Sequence, residues 1–314
     1  MFIVAGESLI DMVATADGTY APMPGGAPYN FARALALQGI AAGYANPFSD
    51  DILGRLLKGT LEASGARHLG AISGKPTSLA LVATDERGQP NYSFYRSEVA
   101  DRDIDAQALL GSPRDEVIGF HSGGLGLVPP DHALIVEAMQ KFRARGVLCT
   151  VDINMRPQVA HSMNVAMDEY RQAALAVSRL AHVAKVSDED LQHLGLPGAP
   201  QVSANALLQR GCRLVILTLG AEGAWAISAE DEIFQPAARV KVVDTVGAGD
   251  CFFAGLIASL KHQGVLQDLI HRAPSGVVLA QALRHANACA AIDIGRKGCQ
   301  PATWEEAVAW RPLQ

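Results

Sequence analysis

The chain alternates between short apolar runs and longer segments whose apolar residues have helical spacing. The runs VLCTVDI (147–153) and RLVILTLG (213–220) are rich in β-branched residues, which is typical of buried parallel strands. Segments 27–39, 131–146 and 250–264 have helical periodicity, and each ends in glycine. This alternation predicts βαβ units and a mostly parallel sheet with helices on both faces.

Two segments break this alternation of strands and helices. Residues 77–96 form two strand-like runs around the turn signal DERGQP (85–90), and residues 9–22 form a similar pair around Asp17 and Gly18. We therefore expect one domain over residues 1–314 with a small antiparallel lid. The lid strands are inserted at about 10–22 and 72–98 in this interpretation.

Composition narrows the class of protein. The chain has 314 residues, of which 49% are hydrophobic and 18% charged, and a formal net charge of −6. An acidic chain of this kind is not expected to bind nucleic acid or a membrane surface. The N-terminal MFIVA predicts a buried first strand rather than a signal peptide, and no apolar run approaches the roughly 18 residues of a membrane span.

The cysteines and the absent motifs narrow the class of protein further. The five cysteines are scattered and form no CxxC pair, which predicts core residues of a cytoplasmic protein. The sequence lacks GxxxxGK[ST], GxSxG, HExxH and a complete GxGxxG, and its nine histidines have no metal-ligand spacing. A catalytic site in this chain is therefore expected to consist of glycine-rich turns and carboxylates.

The stretch DTVGAGD (244–250) is the first candidate for such a site. We expect VKVV (240–243) to be a strand that enters this turn, with a helix beginning near Asp250. Unpaired N–H groups at a helix start bind anions, and an acid beside them can take a proton from an attacking hydroxyl. The alternative is that Asp250 only caps the helix.

The stretch PGGAPYNFARALALQG (24–39) is a second glycine-rich turn that leads into a helix. It has Asn30 on the first turn, where the side chain is either a ligand or a cap. Near the N-terminus, Asp11 is expected where the first strand ends, the edge at which parallel sheets bind ligands. The alternative for Asp11 is a surface turn residue.

Together these motifs resemble the two signatures of the ribokinase-like (PfkB) carbohydrate kinases. Shorter matches support the resemblance along the chain: GESLID, SFYRSEVADRDI, VDINMRP, KVSDEDL, LTLGAEGA and ANACAAIDIGRKGCQPAT. The resemblance implies a three-layer α/β/α fold with a central, mostly parallel sheet and a small β lid. It also implies transfer of the γ-phosphoryl group of ATP to a sugar hydroxyl.

The resemblance also implies roles for individual residues. Asp250 is the implied general base, and the N–H groups of Gly247, Ala248 and Gly249 are the implied ligands of the transferred phosphoryl group. The implied sugar ligands are Asp11, Gly26, Asn30, Arg96 and Asp250. Arg96 has the alternative of a solvated surface charge.

The nucleotide and metal roles are implied in the same way. The implied nucleotide ligands are Ser187, Thr218, Gly220, Gly223, Gly249 and Asn287, with a plain surface position as the alternative for Asn287. Arg156 is implied to steady the phosphate, and Asp152 and Asn154 to face the same cleft.

Asp190 is implied to bind Mg²⁺ through water, although the family usually has Glu there. Asp244 and the Val246 carbonyl are implied to bind K⁺, with a turn carboxylate as the alternative for Asp244.

The substrate implied by the resemblance is a ketohexose. The elements GGAP, FYR, DxNxRP and KxSDED are most similar to the fructokinase branch. A 2-keto-3-deoxygluconate kinase is the runner-up, but its substrate needs an extra cation, and Arg33 is expected to face solvent. A nucleoside kinase is the third alternative, and a non-catalytic family member is the remote one. The resemblance also implies a homodimer formed through the lid.

Overall fold

A computed structural model describes residues 1–15, 17–84, 90–106, 109 and 117–312 of the chain. Within these residues the main sheet has nine strands. In chain order they are β1 (Phe2–Val4), β4 (Ala42–Tyr44), β6 (Arg67–His68), β10 (Gly119–Gly123), β11 (Leu148–Asp152), β12 (Val183–Ser187), β13 (Leu214–Thr218), β14 (Gly223–Ile227) and β15 (Glu232–Pro236). Their spatial order is β15-β14-β13-β12-β11-β10-β1-β4-β6.

The main sheet is parallel from β6 to β13, whereas β14 and β15 add to its edge in antiparallel pairing. The central strands are buried along their whole length, as expected for a sheet covered on both faces. The predicted strands at 147–153 and 213–220 are β11 and β13, so both predictions are confirmed.

Helices cover both faces of this sheet. They are α1 (Ala27–Leu37), α2 (Ile52–Ala63), α3 (His132–Ala144), α4 (Pro157–Ser162), α5 (Met167–Ser178), α6 (Asp188–Leu194), α7 (Pro200–Leu208), α8 (Ala248–His262), α9 (Gly276–Ile294) and α10 (Trp304–Ala309). Successive strand residues supply opposite cores: Leu148 packs with α1, α8 and α9, and Cys149 with α3, α5 and α7. The predicted three-layer α/β/α fold is confirmed.

A smaller sheet of four strands lies beside the main one within the described residues. It has the order β3 (Tyr20–Gly25), β2 (Leu9–Ala14), β8 (Ser78–Thr84) and β9 (Pro90–Tyr95). Strands β2 and β3 form the antiparallel pair predicted around Asp17 and Gly18, and β8 pairs with β9. Most of the turn signal 85–90 lies outside the described residues. The short strands β5 (Phe48–Ser49) and β7 (Ile72–Ser73) form a separate pair. The division into one domain with a lid stays a prediction.

The predicted strand at VKVV (240–243) is wrong. The N–H groups of Val243 and Asp244 donate to the carbonyl of Ile294, at the end of α9, instead of to a neighbouring strand. Val242 and Val243 are each 56% exposed. An apolar run becomes a strand only where a sheet edge offers partners, and here a helix end takes that place.

The interior of the fold agrees with the composition of the chain. All five cysteines are buried and reduced, as predicted for core residues. In the described part of the chain, no helix combines the length and the apolar character that crossing a bilayer requires.

Candidate active site

A cavity of about 320 Å³ opens where the ends of the parallel strands face the smaller sheet. Its lining combines acids, two cations, two amides and glycine-rich turns. The polar members of this lining are Glu7, Asp11, Asn30, Asn154, Arg156, Lys185, Thr245 and Asp250. The cavity therefore brings together residues from both predicted motifs and from the N-terminal segment.

The start of α8 forms one wall of the cavity. Gly247 precedes the helix with a φ of 85°, and a Cβ at this position would lie 2.3 Å from Sγ of Cys299. Glycine is therefore required both by the left-handed backbone and by the close packing. The N–H of Cys251 donates to the Gly247 carbonyl at 2.8 Å and opens the helical pattern. The N–H groups at this helix start favour an anion.

Asp250 lies in the first turn of α8 and is 8% exposed. Oδ2 of Asp250 accepts a hydrogen bond from Nδ2 of Asn30 at 3.0 Å. Burial raises the pKa of Asp250 well above its ordinary value, and the charge of Asp152 adds to the effect, while Asn30 and Lys185 oppose it. No side chain caps α8 among the described residues, so the alternative that Asp250 is only a helix cap is wrong.

Asn30 and Gly26 form the opposite wall at the start of α1. The N–H of Asn30 donates to the Gly26 carbonyl at 2.8 Å, which places Asn30 within the helix rather than at its cap. Its Oδ1 is buried and has no partner in the described part of the chain. Gly26 has a φ of 110°, and a Cβ there would lie 2.5 Å from the carbonyl oxygen of Glu7. Only glycine fits this contact.

Asp11 lines the cavity from the smaller sheet. It belongs to β2, so the expectation that it follows the end of the first strand is wrong, and so is the alternative of a surface turn. The segment leaves β1 at Val4 and enters a second strand before reaching Asp11. Burial raises the pKa of Asp11 to about 7, against the opposing charge of Arg156.

Lys185 is a site residue that sequence reasoning missed. Parallel pairing of β11 and β12 places Asp152 opposite Lys185, and Nζ lies 3.0 and 2.8 Å from the two carboxylate oxygens. Both side chains are buried. Burial lowers the pKa of Lys185, but the charges of Asp152 and its neighbours outweigh this effect and raise it overall. The ammonium also packs close to Gly249, so it faces the start of α8.

Glu7 is a second residue that the motifs did not indicate. Its Oε1 accepts the N–H of Ala27 at 3.1 Å, and its Oε2 accepts the N–H of Leu125 at 3.0 Å. The carboxylate therefore joins the start of α1 to the turn after β10. The signal was present in the sequence as an acid directly after the first buried strand.

Arg96 does not line the cavity in the described structure. Its Nη2 lies 2.7 Å from Oδ2 of Asp101, both side chains are buried, and Asp101 also accepts the Ser78 hydroxyl. The alternative of a solvated charge is therefore wrong. The sugar-binding role of Arg96 stays a prediction, and the arrangement favours a structural role under the smaller sheet.

Two further arginines differ in position. Arg156 is exposed and lines the cavity together with Asn154, as predicted, whereas Asp152 lies beneath it in the ion pair. Arg33 is 8% exposed, and its Nη1 donates to the carbonyl of Cys299 at 3.2 Å. The expectation that Arg33 faces solvent is wrong, because the adjoining turn supplies a buried acceptor.

The predicted nucleotide residues lie around β13 and α9. Thr218 ends β13, Gly220 begins a 3₁₀ turn, and Gly223 begins β14. Asn287 donates to the Pro236 carbonyl and accepts the N–H of Ala238, so it fixes the segment after β15. Nucleotide binding by these residues stays a prediction.

Ser187 and Asp190 form a reciprocal cap at the start of α6. The carboxylate of Asp190 accepts the N–H and the hydroxyl of Ser187 and the N–H of Met155. Asp244 accepts the N–H groups of Val246 and Gly298, at 3.1 and 2.9 Å. Both acids therefore hold backbone turns, and their metal roles stay predictions.

Comparison with known proteins identifies relatives along nearly the whole chain. The model of the pfkB family carbohydrate kinases matches residues 2–306. A fructokinase from Rhizobium leguminosarum bv. trifolii is 35% identical over 271 residues, covering 85% of this chain and 81% of the relative.

Solved structures of kinases also superpose on nearly the whole chain. Fructokinase from Xylella fastidiosa with bound ATP superposes with a TM-score of 0.87 at 26% identity, covering 98% of this chain and 97% of that one. Aminoimidazole riboside kinase from Salmonella enterica, complexed with aminoimidazole riboside and an ATP analog, has a TM-score of 0.78 at 29% identity, covering 95% and 94%.

We predict that Lys185→Met lowers the free energy of unfolding by about 3–5 kcal/mol, because it leaves the buried Asp152 carboxylate without its cation. The double variant Asp152→Leu/Lys185→Met should recover most of this loss, since it removes both charges. Urea unfolding followed by circular dichroism measures both values.

The control is Lys58→Met, which breaks an exposed pair with Glu62. It should cost less than about 1 kcal/mol. Equal losses for Lys58→Met and Lys185→Met would show that the buried pair has no special role in stability.

Proposed function

The chain belongs to the pfkB family of carbohydrate kinases and is a sugar kinase, as the two glycine-rich motifs predicted, and we propose that its sugar is fructose. In the proposed reaction the γ-phosphoryl group of ATP passes to a hydroxyl of the ketohexose. The observation that carries the phosphoryl transfer is the position of Asp250: a buried carboxylate at a helix start, in a polar cavity, and held by Asn30. The choice of fructose is supported by the similarity to fructokinases.

The proposed role of Asp250 is that of general base. A base accepts a proton most effectively when its pKa lies near the working pH, and burial raises the pKa of Asp250 in that direction. Asn30 donates to one carboxylate oxygen and thereby orients the group. The proton of the attacking hydroxyl passes to Asp250 as the new O–P bond forms and the bond to ADP breaks.

The sugar is proposed to lie between α1 and β2. Oδ1 of Asn30 is a buried acceptor without a partner in the described residues, so it fits a hydroxyl donor. Asp11 supplies a carboxylate on the other side, and the backbone of Gly26 also lines the cavity. Paired acceptors of this kind suit the hydroxyls of a polyol.

The phosphoryl group is proposed to lie at the start of α8. The N–H groups of Gly247, Ala248 and Gly249 would stabilise the charge that develops on it, and Lys185 and Arg156 add positive charge from the other sides. Burial of the cavity floor strengthens these interactions by excluding water.

The donor sets at the two predicted metal positions fit different ions. When bound together with ATP, Mg²⁺ would draw charge from the phosphate oxygens and keep much of its water shell. Asp190 already accepts three hydrogen bonds, so it fits an ion held through water better than one bound directly. The Asp244 carboxylate and the Val246 carbonyl are hard oxygen donors of the kind K⁺ prefers.

The alternatives differ in the chemistry that they require. A 2-keto-3-deoxygluconate kinase must bind a carboxylate, yet the sugar side of the cavity carries Glu7 and Asp11, and Arg33 is committed to the Cys299 carbonyl. A riboside kinase is favoured by the similarity to the Salmonella enterica enzyme. A non-catalytic role is disfavoured because the Asp250 site is complete.

The substrate is tested by a coupled ADP-release assay with fructose, 2-keto-3-deoxygluconate, ribose, adenosine and aminoimidazole riboside, with and without K⁺. We expect kcat/KM to be at least about tenfold higher for fructose than for the others, because hydroxyl-binding sites discriminate strongly. A riboside as the best substrate would contradict the assignment of fructose while leaving the sugar-kinase activity in place.

We predict that Asp250→Asn lowers kcat by about 10²–10⁴-fold, because the amide cannot accept the proton. Circular dichroism should show an unchanged fold. The matched control is Asp51→Asn, since Asp51 also lies at a helix start but outside the cavity, where it caps α2 and accepts hydrogen bonds from Thr77. Turnover by Asp250→Asn equal to that of Asp51→Asn would rule out the proposed base.

The pH dependence provides a separate prediction. Protonated Asp250 cannot act as a base, so kcat/KM should fall as the pH is lowered, with an apparent pKa well above the ordinary value of 3.8. The residual kcat of Asp250→Asn should lack this acid limb, because that variant has no base to protonate.

Asp11 also titrates in this range, since its pKa is about 7. Asp11→Asn should therefore raise KM but keep the acid limb of kcat. Loss of the limb in Asp11→Asn, together with its persistence in Asp250→Asn, would reverse the two assignments.

A further inference from the structure

Three buried side chains meet beside the start of α8, outside the lining of the cavity. They are Cys251 in α8, Asp293 in the last turn of α9, and Cys299 in the segment that follows α9. One ligand atom from each lies within 4.8 Å of the other two. None of the three is more than 7% exposed. We call these residues the sulfur cluster.

The carboxylate in the sulfur cluster is only half satisfied. Oδ1 of Asp293 accepts the N–H of Gln300 at 2.8 Å. Oδ2 is buried and has no hydrogen-bond partner in the part of the chain that the structure describes, and a ligand atom of the carboxylate lies within 4.8 Å of the Cys251 sulfur, a weak donor. A buried oxygen without a donor is costly, and a cation is one way to remove that cost.

The distance between the two sulfurs distinguishes a shared metal ion from a disulfide bond. The Sγ atoms of Cys251 and Cys299 lie 4.0 Å apart. Two thiolates bound to one tetrahedral zinc ion at about 2.3 Å lie about 3.8 Å from each other. A disulfide needs about 2.05 Å, so the sulfurs would have to approach by roughly 2 Å. The arrangement fits a shared metal ion far better than a bond.

From these observations we propose that the sulfur cluster binds a thiophilic divalent cation of the Zn²⁺ class. The ligands are the two Sγ atoms and a carboxylate oxygen of Asp293, and a fourth position remains for water. Soft sulfur donors select Zn²⁺ over Mg²⁺, Ca²⁺ or K⁺, which prefer oxygen. Binding displaces both thiol protons into solvent, so no oxidant or reductant is needed.

The segment around Cys299 offers an access route for the ion. Cys299 lies in the segment from 295 to 300, in which Lys297 and Gln300 are exposed. A local opening of the segment therefore gives solvent access to Cys299 without disturbing the sheet. The Cys299 sulfur also packs directly against Gly247, so the ion would lie immediately behind the helix start.

The test is a titration of the full-length protein with CoCl₂ under anaerobic conditions, after removal of metals with EDTA. We expect one ion per chain, with thiolate-to-cobalt charge-transfer absorption and the visible bands of tetrahedral cobalt. Zn²⁺ should displace the cobalt and abolish both signals. Zn²⁺ should also raise the melting temperature, because it binds the folded chain.

The variants distinguish this site from other thiols. Cys251→Ser/Cys299→Ser should lose the charge-transfer bands, and Asp293→Asn should weaken cobalt binding at least about tenfold. The matched control is Cys289→Ser, since Cys289 is an equally buried cysteine of α9 that contacts Gly255 instead. It should keep the wild-type spectrum.

The single variant Cys299→Ala provides a second test if the double variant fails to fold. It removes one sulfur at a less buried position, and it should lose the tetrahedral bands while circular dichroism stays unchanged. Absence of the charge-transfer bands in the wild-type protein at saturating cobalt would overturn the proposal. Their persistence in Cys299→Ala would overturn it too. These readouts are independent of kinase activity and of the sugar that the enzyme uses.

Discussion

The burial of a carboxylate beside a helix start is the constraint on which the site depends. Asp250 is almost removed from water, and burial alone favours its neutral form. Asn30 and the ammonium of Lys185 oppose this effect, and Lys185 is held in turn by Asp152. The register of β11 against β12 sets the position of that ammonium. A pairing inside the sheet thus influences the protonation of an acid on a different element.

The two glycine-rich turns have the same packing requirement on opposite walls of the cavity, namely a close contact with a neighbouring segment. Gly26 lies against the carbonyl of Glu7, and Gly247 lies against the sulfur of Cys299, in each case too close for a Cβ. The start of α1 thereby packs on the segment after β1, and the start of α8 packs on the segment after α9. The two helix starts meet at the hydrogen bond from Asn30 to Asp250, which joins residues 220 positions apart. The two glycines therefore have a packing role, because each lets a helix start approach its neighbouring segment closely.

The sequence predicted the features that depend on local pattern. Helices that end in glycine and buried β-branched strands have signals within one window, so α1, α8, β11 and β13 were found, and the motif resemblance supplied the family. What it missed depends on distant partners. Lys185 is a charge inside an apolar run, and its meaning comes from Asp152, 33 residues away. The strand predicted at 240–243 was wrong for the same reason, since the end of α9 takes the backbone hydrogen bonds that a strand would need.

The start of α8 is bounded by two environments with opposite donor chemistry. On the cavity side, backbone N–H groups and oxygen ligands suit phosphate and its hard cations. On the other side, Cys251 and Cys299 offer sulfur, which hard cations avoid. A cation of the Zn²⁺ class and the Mg²⁺ of ATP would therefore be sorted by ligand type. Because Cys299 also packs on Gly247, a change in the volume of the sulfur cluster would change the geometry of the helix start. An ion that draws the two sulfurs together would displace Gly247 first, and the backbone of this residue sets the direction of the anion-binding N–H groups.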